Sequence, residues 1–591
     1  MNLYNYSRRK SDEVKIGNLL MGGKNPIRVQ SMANTNTNDI ENSVAQCLRI
    51  VDAGGELVRF TTQGIKEADS LHIIHDEIRR RDCDVPLVAD VHFNANVADY
   101  TAAFLEKVRV NPGNYVSGIK NDGTNYTDEE YRQEFDKIKQ RFVPFLNICK
   151  ENNTAIRVGV NHGSLSERML NRWGNTAEGM VESSLEFQRI CKEQNFKNVV
   201  LSMKASNTVM MIEAVRLLVK KMEAENLHFP IHLGVTEAGD GEDGRIKSAV
   251  GIGGLLAEGI GDTIRVSLSE EPEAEIPVAK LLRDYISERE NHSEIKLKSE
   301  NKVEKKVFER RKTTQVKNIG GNSLPIVISY PNNHSTLKSD YIIDNNKIID
   351  EQGNVFSIQS VASLINTTLL NEEIQFVKMN YDELNSVVIE KLKKTPRVVL
   401  LIESNHKNPV GEIRAFIHTL IAEACETPVI LVGKYNEDNL ETLQVKASAD
   451  LGIMFVDGLA DGILIENRGK ISENDMLSLS FGILQAARVR TSKTEFISCP
   501  GCGRTMFNLQ SVIARIKSRT SHLTGLKIGI MGCVVNGPGE MADADYGYVG
   551  AGRGKVSLYK KHECIEKNIP EDEALDKLIE LIKINNDWKD N

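Results

Sequence analysis

The residue types with most chemistry to offer lie near the C-terminus of this 591-residue chain. Cys499 and Cys502 stand in Cys499-Pro500-Gly501-Cys502-Gly503-Arg504, and Cys533 follows in Gly532-Cys533-Val534-Val535-Asn536-Gly537-Pro538-Gly539-Glu540. Three thiols and a carboxylate on Gly/Pro-rich turns form a ligand pattern for a metal or a metal cluster. A structural zinc site wants four closed nitrogen or sulfur ligands, and the fourth here would have to be a remote residue such as Cys564 or His562. An iron-sulfur cluster also usually takes four thiolates. With only three, one iron keeps an exchangeable position, which Glu540 could fill at rest and yield to a substrate oxygen. The glycines and prolines suit close approach of backbone to cluster sulfides.

A second set of reactive side chains recurs in the first half of the chain. Along eight β-branched runs, one parity carries Arg28/Gln30, Arg59/Thr61, Asp90/His92, Arg109/Asn111, Arg157/Asn161, Ser202/Lys204, His232/Thr236 and Arg265/Ser267. The other parity is apolar, as in Val58/Phe60 and Ile156/Val158, and suits packing against helices. Five arginines and one lysine on one face of six strands exceed what Asp90 and Glu237 can neutralise. Because a buried unpaired charge costs several kcal/mol, this excess points to an anionic substrate with more than one charge, and arginine's planar fork binds phosphate oxygens bidentately. Asn111-Pro112-Gly113-Asn114, Asn161-His162-Gly163-Ser164 and Thr236-Glu237-Ala238-Gly239 follow three of these runs and place backbone N–H groups where they can meet oxyanions.

The elements that must position these groups follow from periodicity. Strands are expected at Pro26–Met32, Glu56–Thr62, Pro86–His92, Lys107–Asn114, Ala155–Asn161, Asn198–Ser206, Pro230–Glu237 and Thr263–Ser269, each followed by a segment with helical spacing. Eight βα units predict an α/β fold that begins with a TIM (β/α)8 barrel over residues 1–290, its lumen and C-terminal mouth carrying the cations. Residues 476–591 read as an α+β domain that holds the cysteines, with a helix at Phe507–Thr520, a strand at Lys527–Met531, a hairpin through Tyr546–Lys560 and a closing helix at Glu571–Asn585. Between them, 291–475 reads as a charged linker followed by an α/β insert domain, either a degenerate barrel or a smaller doubly wound sheet. Its expected strands are Pro325–Ser329, Val398–Ser404, Pro428–Tyr435, Ile453–Val456 and Gly462–Asn467. No convergent ionisable set marks this insert, His406 reads as a loop histidine, and a spacer or scaffold role is expected.

Composition narrows the partners. A net charge of −8 gives no global attraction to nucleic acid or to an anionic membrane. The mixed charges of 291–317 lack the aromatic interleaving of a nucleic-acid surface. No uncharged apolar run approaches the roughly 20 residues that span a bilayer, and no signal-peptide core follows Met1–Lys10. Nine cysteines scattered in a chain of this length do not form a disulfide framework. The expectation is a cytoplasmic protein that binds neither nucleic acid nor membrane.

Taken together the motifs resemble those of the 4-hydroxy-3-methylbut-2-en-1-yl diphosphate synthase family. They are Val29-Gln30-Ser31-Met32, Val88-Ala89-Asp90-Val91-His92-Phe93, Arg109-Val110-Asn111-Pro112-Gly113-Asn114, Arg157-Val158-Gly159-Val160-Asn161, His232-Leu233-Gly234-Val235-Thr236-Glu237-Ala238-Gly239, and both cysteine segments. The resemblance spans about 1–285 and 475–591, and the insert matches the three-domain form. It implies a barrel that binds 2-C-methyl-D-erythritol 2,4-cyclodiphosphate and a 4Fe-4S cluster held by Cys499, Cys502, Cys533 and Glu540. Reduced flavodoxin or ferredoxin would supply single electrons for ring opening and reductive dehydroxylation. Arg59, Arg109, Arg157, Lys204 and Arg265 would hold the diphosphate. Asp90, Asn111, Asn161, Thr236 and Ser267 complete the substrate-binding set, and Glu237 is the candidate to orient or protonate a hydroxyl, with Asp90 and His92 as second choices. In the short form two chains exchange cluster domains, whereas the insert offers one chain a way to close on itself.

Overall fold

The computed structural model describes residues 2–116, 126–301, 303, 308–332, 337–366, 374–534, 539 and 541–590. An antiparallel hairpin of β1 (Val14–Ile16) and β2 (Leu19–Met21) precedes eight parallel strands. These are β3 (Arg28–Met32), β4 (Leu57–Thr62), β5 (Leu87–Val91), β6 (Lys107–Val110), β7 (Ala155–Asn161), β8 (Val199–Lys204), β9 (His232–Leu233) and β10 (Thr263–Ile264). They neighbour one another in the order β8-β7-β6-β5-β4-β3-β10-β9. A parallel bridge from Leu201 to Ile231 joins the two ends, with the Leu201 N–H donating to the Pro230 carbonyl at 2.9 Å. This is the TIM barrel expected from the eight β-branched runs. The fourth run ends early, at Val110, because Pro112 has no N–H for the ladder and opens a 3-10 turn, Pro112–Asn114, capped by the Asn111 side chain.

The lumen is layered. Leu57, Val88, Ala155 and Val200 share the parity of the polar residues above them and pack with Val14, Ile16 and Met21 of the hairpin into an apolar floor. Arg28 does not join the cations higher in the lumen. Its guanidinium donates to the Leu20 carbonyl at 3.0 Å and to Glu56 at 2.7 Å, tying the hairpin to the barrel. Period-two alternation specifies the face of a strand but not its height in the barrel, and Arg28 starts its strand at the closed end.

The insert is a second closed barrel, a point its sequence leaves open. Strands β11 (Ile326–Ser329), β12 (Tyr341–Asp344), β13 (Lys347–Asp350), β14 (Val355–Gln359), β15 (Gln375–Met379), β16 (Val398–Glu403), β17 (Val429–Tyr435) and β18 (Gly462–Asn467) follow one another round the ring, and β18 pairs with β11. The ladders are parallel except at β12–β13 and β13–β14. The expected strand at Ile453–Val456 is instead the last turn of a helix, Leu440–Val456. A short apolar run cannot by itself distinguish a buried strand from a buried helix, and this helix is buried on nearly every side. Of the strands the sequence reading passed over, β12 and β13 are joined by Asn345–Asn346, with φ of +46° and +61°, the left-handed pair of a tight hairpin.

Apolar side chains, among them Ile328, Tyr341, Phe376, Leu401 and Leu464, form the core of this second barrel. At the C-terminal ends of its strands, Lys378 and Lys434 lie 2.9 and 2.7 Å from Glu403, and Lys378 lies 3.7 Å from Glu466. The first barrel holds a surplus of cations; this mouth pairs its own.

The C-terminal domain is a five-stranded sheet, β19 (Glu495–Ser498), β20 (Lys527–Met531), β21 (Tyr546–Gly552), β22 (Lys555–Lys560) and β23 (Glu563–Pro570). Helices Leu509–Thr520 and Glu571–Ile584 cover one face, through Val512, Ile516, Leu578 and Ile582. Chain contacts sort the molecule into two compact units. One comprises Met1–Arg8, Ala249–Gly259 and Leu281–Ser492; the other comprises Arg9–Ser248, Ile260–Lys280 and Lys493–Asn591. The helix Glu473–Ala486 therefore belongs with the second barrel, and the first barrel and the cysteine domain form one unit. Among the described residues no helix is long and apolar enough to cross a membrane.

Candidate active site

Within that unit the cysteine domain docks on the open end of the first barrel. Ser498 on β19 forms a parallel bridge with Ala238. The Ser269 hydroxyl lies 2.8 Å from the Ser498 hydroxyl and donates to the Cys499 carbonyl at 2.9 Å. Two buried groups, Lys247 and Glu495, pair at 2.8 Å, and Lys493 meets Asp243 at 2.6 Å. Gly503 approaches so closely that a Cβ there would lie 2.7 Å from the Thr35 carbonyl. The cysteine loop is thus held on the barrel by direct contacts within one chain.

A pocket lies between them. Arg59, Asp90, Arg109, Arg157, Asn161, Lys204, Thr236, Glu237, Arg265 and Ser267 line it from the barrel, and Cys499, Cys502 and Cys533 from above. Of the residues selected from sequence, Asn111 is not among the lining: its amide donates to the Ser164 hydroxyl at 2.9 Å and its carbonyl caps the Gly113 N–H. Glu540 lies outside the described residues. Sequence reasoning gave no role to Arg504, which also lines the pocket, or to Glu275 beneath it. Position directly after a Cys-x-x-Cys-Gly turn was the available signal for Arg504. Glu275 had none, because its helix offers several carboxylates and only packing selects one.

The cations are arranged around two carboxylates. Asp90 accepts from Arg109 at 3.2 Å and lies 3.9 Å from Arg59 and 4.0 Å from Arg157. Burial opposes its charge, but Arg59 and Arg109 outweigh that and hold the carboxyl well below its usual range. Arg265 donates through Nε and Nη2 to both oxygens of Glu275, at 3.0 and 2.9 Å. Arg157 is 2% exposed, and its Nε and Nη1 are buried without a hydrogen-bond acceptor. Burial and the neighbouring arginines push Lys204 well below the ordinary lysine pKa, and burial lowers Arg59 to about 10. The site is strained electrostatically in the sense that an anion relieves.

Small residues make this crowding possible. A Cβ on Gly159 would stand 2.8 Å from Arg109 Nε and 3.1 Å from the Ser202 hydroxyl, and one on Gly234 would stand 3.2 Å from Lys204 Nζ. Glu237 sits in the left-handed region at φ +49°, uncommon for a residue with a side chain, and is nearly buried.

Two consequences can be measured. Arg265→Leu would leave Glu275 buried opposite an apolar group, so a loss of about 3–5 kcal/mol is expected in chemical denaturation. His92 accepts from Arg109 Nη1 at 2.6 Å, and burial with that neighbouring cation lowers its pKa to about 3. Between pH 6.5 and 3 the unfolded chain therefore binds the proton that the folded one refuses. His92 thus makes stability fall as pH drops through that window, with a slope of at most about 1.4 kcal/mol per pH unit. His92→Gln should flatten the acid limb of a stability-versus-pH curve.

The donor set is three thiols on glycine-rich turns, the ligand type of iron-sulfur clusters. The three cysteines all line one pocket. Burial would raise the Cys502 thiol, but the adjacent Arg504 guanidinium outweighs it and lowers its pKa, favouring the ligating thiolate. Cys499, pushed up to about 12 by burial, already accepts the Gly532 N–H at 3.3 Å on sulfur.

Comparison with known proteins agrees with this geometry. Residues 11–280 match the GcpE TIM-barrel domain and 495–584 match the GcpE protein C-terminal domain. A protein of Phocaeicola vulgatus is 57% identical, with all of both chains covered. One of Porphyromonas gingivalis is 48% identical, again over all of both chains, and one of Chlorobaculum tepidum is 40% identical over all of this chain and 90% of that one. All three bear the name 4-hydroxy-3-methylbut-2-en-1-yl diphosphate synthase (flavodoxin), and the alignments run through the insert. With both halves of the pocket and the whole length matched, this chain belongs to the 4-hydroxy-3-methylbut-2-en-1-yl diphosphate synthase family.

Proposed function

We propose that this chain converts 2-C-methyl-D-erythritol 2,4-cyclodiphosphate to 4-hydroxy-3-methylbut-2-enyl diphosphate in isoprenoid synthesis, taking up two electrons and a proton and releasing water. The observation that carries the reading is a single pocket with surplus guanidinium groups below and three cysteines above. Reduced flavodoxin, or ferredoxin in its place, is the electron donor, and the well-spaced free cysteines suit work in the cytoplasm.

Cys499, Cys502 and Cys533, with Glu540 as fourth ligand, would hold a 4Fe-4S cluster, which supplies single electrons and an exchangeable coordination position. The chain's own side chains do the rest. Arg59, Arg109 and Arg157 surround Asp90, and with Lys204 they take the diphosphate by charge-assisted hydrogen bonds. Arg265, held by Glu275, presents its remaining edge, and Asn161, Thr236 and Ser267 orient the ligand from neighbouring strand ends.

The proton falls to Glu237. Asp90 stays ionised under the influence of Arg59 and Arg109, and His92 is uncharged and already accepts from Arg109, so neither is a ready acid near neutral pH. Glu237 shares the pocket with Cys499 and Ser267. Anaerobically purified protein should contain iron and acid-labile sulfide in equal amounts and turn over the cyclic diphosphate with reduced flavodoxin. A colourless protein with stoichiometric zinc and no sulfide would sink the proposal. Glu540→Ala should impair turnover more than folding.

A further inference from the structure

The function proposed above assigns no role to Arg504, which lines the pocket. Arg504 lies in the turn after Cys502, a turn closed by the Thr505 N–H donating to the Cys502 carbonyl at 2.9 Å and the Cys502 N–H donating to the Thr505 hydroxyl at 3.1 Å. The turn fixes the start of the Arg504 side chain, which is 6% exposed. Its opposite charges are the Cys502 and Cys533 thiols above and Asp90 below, while Arg59 and His92 feel it as a neighbouring cation. It therefore comes from the cysteine domain and reaches the barrel's arginine layer.

Among the described residues, two of its donors, Nε and Nη1, are buried without a hydrogen-bond acceptor, the same condition as Nε and Nη1 of Arg157 on β7. A buried guanidinium N–H with no acceptor is costly. Protein groups do not answer this need: Asp90 is shared with Arg59, Arg109 and Arg157. Two guanidinium groups from different domains, both short of acceptors and lining one pocket, are satisfied together by a ligand with several anionic oxygens between them.

Building on the function proposed above, we propose that Arg504 is a substrate-contacting residue contributed by the cysteine domain, donating Nε–H and Nη1–H to a diphosphate oxygen that Arg59 and Arg157 hold from below. Seating the diphosphate then ties the cysteine loop to the barrel, and a free diphosphate without the carbon skeleton engages the same donors.

Inorganic pyrophosphate titrated calorimetrically into cluster-loaded wild-type, Arg504→Gln and Arg504→Lys proteins tests this. Arg504→Gln should weaken binding by ~10–100-fold, with Arg504→Lys intermediate, while iron and sulfide content and the electron paramagnetic resonance signal of the reduced, ligand-free cluster stay as in the wild type. Pyrophosphate binding by Arg504→Gln equal to the wild type overturns the assignment, as does an altered resonance signal with unaltered binding, which would make Arg504 a positioning residue for the cluster. Absence of saturable pyrophosphate binding by the wild type overturns it too. Wild type that binds pyrophosphate but neither binds nor turns over the cyclic diphosphate would overturn the proposed reaction and leave the Arg504 contact standing.

Discussion

Cys502→Ala protein, purified without oxygen, is expected to lose most of its iron and sulfide and to show no turnover, yet to fold and to bind pyrophosphate within about tenfold of the wild type. The cysteine faces the pocket, and Arg504 lowers its thiol pKa, which makes it a readier ligand than Cys499. The docking contacts described above do not run through its sulfur. The bridge from Ala238 to Ser498, the Ser269 hydrogen bonds and the buried Lys247–Glu495 pair would all remain. The cationic side chains of β4, β6, β7 and β8 belong to a barrel with its own core. Metal analysis, circular dichroism and calorimetry check the three parts, and retained turnover with a full complement of iron would remove Cys502 from the ligand set.

Arg157→Leu should separate binding from stability. Its guanidinium is fully buried, lies no closer than 4.0 Å to Asp90, and is driven well below the usual arginine pKa by burial and by Arg59 and Arg109. Leucine removes an undercompensated charge from that environment, and replacing buried ions by apolar groups is often neutral or stabilising by about 1–4 kcal/mol. The denaturation midpoint should therefore hold or rise. Ligand binding should weaken by ~10²–10³-fold, because two charge-assisted donors are lost at once. Arg265→Leu is the counterpart, since there the partner carboxylate Glu275 is left behind and stability falls. If Arg157→Leu instead unfolds the protein while binding survives, the lumen arginines are structural and the anion site lies elsewhere.

Much of the site was legible in the chain because strand alternation is a local property. A period of two places Arg59, Asp90, Arg109, Arg157 and Lys204 on one face whatever the rest of the molecule does, and all five line the pocket. The cysteine spacing is equally local. The limits were of another kind. Arg28 has the right parity but the wrong height, and Asn111 spends its side chain on the turn that Pro112 starts. In the insert, the apolar segment Ile453–Val456 took a helical form because helix and strand bury such a run equally well.

What the sequence by itself determined is the barrel, the cationic face of its strands and the spacing of the cysteines, since each follows from residue type and short-range period. Only the tertiary structure decided which carboxylates answer those cations, that Arg504 joins them from the other domain, and that cysteines and arginines of one chain share a pocket. Those facts depend on side chains far apart in sequence meeting at a distance of a few ångströms, and no local period encodes such a meeting.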